Sequence, residues 1–350
     1  MKTLSVLTII LIGFASVVAR GGDTVLRIFR SSELTDFMSG SLSGKLDRAV
    51  FDAIPKSLVM NGLAAGLLYA GLGDAGSQVW AGCGNWLYSR EELRVDRHDA
   101  ENILAHADIL RALSKTLAEY NVLLVIVPVP DKAEQVEDRL CGIAAAQSRF
   151  RADVWQRAAK LTSVIQIDLR SGWPSPGYWH TDTHWDSRGA RFAADAIAHV
   201  INMKLGAGAD RVHLIEGPSH QRVGDLARLA GLADAPRWLA PSYDQETDVR
   251  AEIESSGGLL DETPSPSIVL AGSSFSMNSG FLDYLQASLS REVAQISMAG
   301  GGFAGALLDL LQNKPRVLAD AKVIIWEWPM RSLTVPLTDA ERRFLKQSAN

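Results

Sequence analysis

Cysteine is scarce in this chain: Cys83 and Cys141 are the only two among 350 residues. That excludes a small fold framed by disulfides. The seven histidines do not cluster beyond His180 and His184, so no Cys/His spacing of a zinc site is present and no metal or cofactor is expected. The two thiols are read as free, buried small side chains, with pairing in an oxidising compartment as the alternative. An excess of positive charge is lacking too. Lys and Arg total 35 against 40 Asp and Glu, a formal charge of −5. Phosphate binding needs clustered cations, so nucleic acid is not expected as a partner. Low-complexity tracts and internal repeats are missing, which removes solenoids and repeat arrays. What remains is an ordinary globular mixture, 47% hydrophobic and 21% charged. It is long enough to bury a sizeable core as one large domain or two modest ones.

One apolar run stands apart. Lys2 precedes Leu4–Ala19, which carries no charge, and Val17-x-Ala19 offers small residues for cleavage before Arg20. This layout predicts an export signal or membrane anchor over residues 1–19, short for a full bilayer span. The alternative is a buried first helix or strand. A helical arm is expected over 20–75, where Leu46, Val50, Phe51 and Ile54 recur at helical spacing until Pro55.

A single catalytic domain is expected from 76 to 350. It opens on a strand–turn over Val79–Leu93 and then alternates. Helices are predicted near Ala100–Glu119, Gln147–Leu161, Arg188–Met203, Gly280–Ser290 and Phe303–Gln312. Strands are predicted at Val122–Val129, Val164–Leu169, Ser267–Ala271, Glu292–Met298 and Val323–Trp326. Strands alternating with helices predict an α/β fold with a mainly parallel sheet, whose ligands sit beyond the carboxyl ends of the strands. The polar stretch 206–264 is expected to be an irregular insertion.

Three loops carry candidate chemistry. In Ala271–Ser276, "AGSSFS", an apolar strand runs into Gly272 and then Ser274, where a strand-to-helix turn would expose a nucleophilic hydroxyl beside its own backbone N–H. Serine also suits a helix N-cap. In Tyr178–Asp186, "YWHTDTHWD", Asp182 and His184 are one residue apart, so an extended loop puts a carboxylate beside an imidazole that can act as general base. Helix capping by Asp182 or Asp186 is the alternative. His180 competes as a base but has no carboxylate two positions before it. The third loop, Gly300–Gly302, would let backbone N–H groups approach a reacting carbonyl, or form a plain turn. Tyr178, Trp179 and Trp185 could stack on a sugar ring, and Lys132 and Arg331 could meet a substrate carboxylate; core packing and surface ion pairs are the alternatives.

Together these pieces resemble the alginate O-acetyltransferase family of the AlgJ and AlgX type, whose core is SGNH-hydrolase-like. The matching motifs are "GCGNWLYSREEL" at Gly82–Leu93, "VPVPDK" at Val127–Lys132, "YWHTDTHWD", "GSSFS" at Gly272–Ser276 and "IWEWPMRSL" at Ile325–Leu333. The resemblance implies a Ser274–His184–Asp182 triad, with the Asp-x-His pair preceding the serine as in a circularly permuted SGNH sheet. It also implies a periplasmic enzyme that acetylates exopolysaccharide hydroxyls, supplied with acetyl groups by a membrane-bound O-acyltransferase. The chain stops soon after "IWEWPMRSL", without the carbohydrate-binding domain of AlgX-type members, and so looks closer to the AlgJ type. A carbohydrate acetylesterase and a non-catalytic polysaccharide-binding scaffold are the alternative functions.

Overall fold

The computed structural model describes residues 2–32, 41–53, 58–141, 153–158, 164–254 and 266–348. Five strands form the central sheet, in the order β4-β3-β9-β7-β8. They are β3 (Leu123–Val129), β4 (Ile165–Gln166), β7 (Ile268–Gly272), β8 (Ala294–Ser297) and β9 (Val323–Pro329), and all neighbouring pairs are parallel. The inner strands are almost continuously apolar because helices cover both faces. Alternate residues divide between two cores. Val125, Val127, Leu270 and Ile325 face the helices Ser187–Leu205 and Phe281–Leu289, whereas Ile126, Val269, Ile324 and Trp326 face Asp99–Glu119 and Gly305–Asn313.

Before the sheet lie helices at Lys2–Ser31, Ser41–Ala53 and Leu58–Leu72, then the short hairpin β1 (Val79–Ala81) and β2 (Leu87–Ser89). The run Leu4–Ala19 falls within the first helix; among the described residues no helix is long and apolar enough to cross a membrane. Ile54 and Pro55 lie outside the described residues, as does most of the expected helix 147–161, of which 153–158 is helical.

Two expectations need correction. The stretch 206–264 contains a long antiparallel ribbon, β5 (Arg211–Arg222) and β6 (Asp244–Glu254), with a bulge between Glu216 and Ser219. Most of β5 is exposed, and only Val212 and Leu214 alternate with exposed neighbours, too short a pattern to mark a strand. Cys83 and Cys141 are not free: they are bonded, with Cα atoms 5.7 Å apart, and tie the β1–β2 turn to the chain 58 residues on. Sequence separation cannot reveal this, because the contact is tertiary, with Cys83 N–H also donating to Arg139 O at 2.8 Å.

Candidate active site

The site forms beyond the carboxyl end of β7, where the chain turns through Ser273 and Ser274 into the short helical turn Phe275–Met277. Gly272 is required here. A Cβ on it would stand 2.0 Å from Ser276 Oγ and 3.0 Å from Glu327 Oε2. Ser274 occupies the N-cap position but makes no side-chain cap bond. Its Oγ lies 2.8 Å from His184 Nε2. Ser273 does the capping, its Oγ accepting the Phe275 N–H at 3.2 Å.

The Asp-x-His loop is a tight excursion whose ends are paired. Tyr178 and Trp185 form a β-bridge, and Asp186 N–H donates to Gly177 O at 3.0 Å. Asp186 then caps Ser187–Leu205, accepting from Arg188 N–H and Gly189 N–H. With that cap filled, Asp182 faces His184. Its Oδ1 lies 2.6 Å from His184 Nδ1 and accepts the His184 N–H at 2.9 Å. A carboxylate only accepts, so Nδ1 carries the proton and Nε2 is left to accept from Ser274. Gly224 admits the loop, since a Cβ there would meet Thr181 O at 2.0 Å.

Arg222, at the end of the ribbon, was not singled out from the sequence. It donates to Asp182 Oδ2 through Nε at 3.1 Å and Nη2 at 2.9 Å, to Glu246 at 2.5 Å and to Asn278 Oδ1 at 2.8 Å. Asn278 in turn donates to Ser274 O at 2.8 Å. One guanidinium therefore joins the acidic member of the trio to the serine turn. Burial works to raise the Asp182 pKa, but the His184 hydrogen bond, the His184 charge and Arg222 outweigh it and hold the carboxyl well below the usual range.

The predicted aromatic platform is not a platform. Trp185 is 0% exposed and packs on Phe275 and Phe281. Tyr178 is buried with its hydroxyl donating to Pro130 O, and Trp179 is buried with its Nε1–H donating to Ser279 Oγ at 2.9 Å. These rings shape the Asp-x-His loop from behind, because apolar rings gain more from burial than from lining water.

Lys132 is also misplaced as a substrate contact. It is 1% exposed and donates to the carbonyls of Leu87 at 2.6 Å, His180 at 3.0 Å and Asp182 at 2.9 Å. Its three donors are thus spent on backbone. Burial pushes its pKa down to about 8, against the pull of Glu92 and Asp182. Lys132→Met should cost about 3 kcal/mol of stability or more, since it removes three charge-assisted bonds and takes the donor from the Leu87 and Asp182 carbonyls, His180 O keeping the Leu87 N–H. Urea denaturation followed by circular dichroism measures this, and an unchanged midpoint would contradict it.

Arg331 stands over the Phe275 ring at 5.4 Å, its charge met by Glu92 at 3.4 Å and Glu91 at 3.7 Å. It borders a cleft of about 560 Å³ that Arg94 and Thr334 also line. In Gly300–Gly302, the Gly301 N–H is spent on Met298 O at 3.1 Å, and Gly300 and Gly302 take positive φ of 72° and 66°. A βα turn accounts for all three. His180 pairs with Asp244, away from Ser274. Asp182, His184 and Asp225 bring donor atoms within 4.8 Å of one another, a spacing that could hold a metal. Those of Asp182 are engaged by His184 and Arg222, and those of Asp225 by Thr183. The set suits proton relay better than cation binding.

Residues 79–330 match the family described as SGNH hydrolase-like domain, acetyltransferase AlgX. The chain is 26% identical over 323 residues to the probable alginate O-acetylase AlgJ of Azotobacter vinelandii, covering 87% of this chain and 82% of that protein. It is 29% identical over 238 residues to the alginate biosynthesis protein AlgX of Pseudomonas aeruginosa, covering 63% and 49%. Among solved structures, the O-acetyltransferase domain of Pseudomonas putida AlgJ superposes with a TM-score of 0.67 at 24% identity, over 77% of this chain and 98% of that one.

Proposed function

Because the chain belongs to the family of SGNH hydrolase-like, AlgX-type acetyltransferase domains, we propose that it is an O-acetyltransferase that moves acetyl groups onto the hydroxyls of an exopolysaccharide of alginate type through an acetyl-Ser274 intermediate. The observation that carries this is the continuous relay from Asp182 through His184 to Ser274, at 2.6 and 2.8 Å.

Ser274 Oγ attacks the donor's acetyl carbonyl while its proton passes to His184 Nε2. The imidazolium is stabilised by Asp182, and the oxyanion is met by the Ser274 N–H. Collapse expels the donor's leaving group, which takes the proton from His184. A sugar hydroxyl then gives its proton to Nε2, attacks acetyl-Ser274, and leaves as the acetyl ester with the serine restored. Arg331, which lines the 560 Å³ cleft and stands over Phe275 beside Ser274, is our candidate to meet a substrate carboxylate, in exchange for its ion pairs with Glu91 and Glu92. We place the work in the periplasm, with residues 1–19 as signal or anchor, 20–75 as an arm and 76–350 as the catalytic domain, and with a membrane-bound O-acyltransferase supplying acetyl groups. The Cys83–Cys141 bond fits an oxidising compartment.

The test is incubation with an activated acetyl ester and a panel of oligosaccharides, read by mass spectrometry. Acetylated oligosaccharide that disappears with Ser274→Ala is the expected result. Free acetate with no acetylated sugar would make the protein an esterase instead.

A further inference from the structure

The serine turn hangs from a carboxylate that the mechanism above does not use. Glu327, in β9, is 1% exposed. It accepts four hydrogen bonds: Ser273 N–H at 2.8 Å, Ser273 Oγ at 2.8 Å, Ser276 N–H at 3.1 Å and Ser276 Oγ at 2.6 Å. Four converging donors require an acceptor with no proton of its own, that is, an ionised carboxylate. Burial pushes the Glu327 pKa up, and the bonds from Ser276 and Ser273 oppose that. A buried charge persists only where such bonds compensate its lost hydration.

The pattern matters for the residue in between. The N–H groups of Ser273 and Ser276 go to Glu327, and that of Phe275 goes to Ser273 Oγ. The Ser274 carbonyl is held by Asn278. Among the described residues the Ser274 N–H has no acceptor, although its neighbours on both sides are committed.

We propose that Glu327 is a positioning residue for acyl transfer: by fixing Ser273 and Ser276, it keeps the Ser274 N–H unspent and aimed at the oxyanion of the tetrahedral intermediate. This rests on Ser274 being the nucleophile. Glu327 never touches substrate; it acts through the turn. Glutamine would keep the shape, but its amide NH2 would oppose one pair of donors and let the turn rotate.

The experiment compares wild type with Glu327→Gln for acetyl-ester kcat and KM, for affinity toward phenylboronic acid, which forms a tetrahedral adduct on a serine hydroxyl, and for melting temperature. Loss of one oxyanion donor costs about 10²–10³ in kcat, so a misaimed donor should cost at least about tenfold. We expect that loss in kcat with KM unchanged, and a parallel loss in boronate affinity, because only tetrahedral species use the donor. Should Glu327→Gln fail to fold, Ser276→Ala removes one of the four bonds and should give a smaller loss of the same type. The proposal is overturned if the folded variant keeps kcat within twofold, or loses kcat while binding the boronate as wild type does. Ser274→Ala, run in parallel, separates the two readings: full turnover there would remove the nucleophile assignment itself.

Discussion

Ser274→Ala will lower acetyl-ester turnover by about 10⁴-fold or more, and adding His184→Ala or Asp182→Ala to it will cost little further. In the proposed mechanism, removing the nucleophile leaves its base with no proton to take, and a base without its carboxylate loses both tautomer and orientation, so the three residues would act as one unit. Each single alanine variant should therefore be severely impaired, while losses in the multiple variants fail to add. Ser273→Ala should be far milder, because that hydroxyl faces Glu327 rather than His184. Initial rates with an activated acetyl ester decide the matter. An active Ser274→Ala enzyme beside an inactive Ser273→Ala one would move the nucleophile by one residue.

Arg222→Met will cost about 3 kcal/mol of stability, the effect of removing one partner of a buried ion pair, and will lower kcat as well because Asp182 loses the guanidinium that holds it. The arginine side chain is only 14% exposed, so no water shell stands ready to replace it beside Asp182. The same variant should be more sensitive to acid. A carboxyl whose folded pKa is depressed contributes stability above its unfolded value, about 3.9 for aspartate. That contribution is lost only as pH falls through the lower folded value. With Arg222 gone the folded value rises, so acid unfolding followed by circular dichroism should begin at higher pH than in wild type. An unshifted acid transition would mean that Arg222 does not hold Asp182 down. Arg222→Lys should recover part of both properties, since it keeps the charge but not the fork.

The sheet and the Ser274 turn were legible in the sequence for the same reason: strands buried on both faces must be apolar along their whole length, and the loop after β7 then stands out, whereas Asp182 and His184 were legible from their one-residue spacing. Leu123–Val129 and Ile268–Gly272 are such runs. The ribbon β5–β6 was illegible because only a few of its residues, Leu214 and Val249 among them, pack on the core while most of the rest are polar and exposed. The aromatics were misassigned because Trp185 has the same composition whether it lines a cleft or fills a core, and only its 0% exposure distinguishes the two. Glu327 leaves a signal in the sequence. A charge in the middle of "VIIWEWP" cannot face solvent on a strand buried throughout, so it must have partners elsewhere in the fold. Arg222 left none, since charged neighbours on an exposed ribbon look alike.

The grip of Lys132 has a consequence for how this sequence can drift. It holds Leu87, His180 and Asp182 by their main-chain oxygens, and a peptide carbonyl is the same whatever side chain it belongs to. Substitutions at positions 87 and 180 therefore leave the clamp intact so long as the loop keeps its path. No replacement at those positions can compensate for losing the lysine. In an alignment of close relatives, position 132 should stay fixed without a co-varying companion, whereas Glu327, bound partly through the hydroxyls of Ser273 and Ser276, should change only in concert with them.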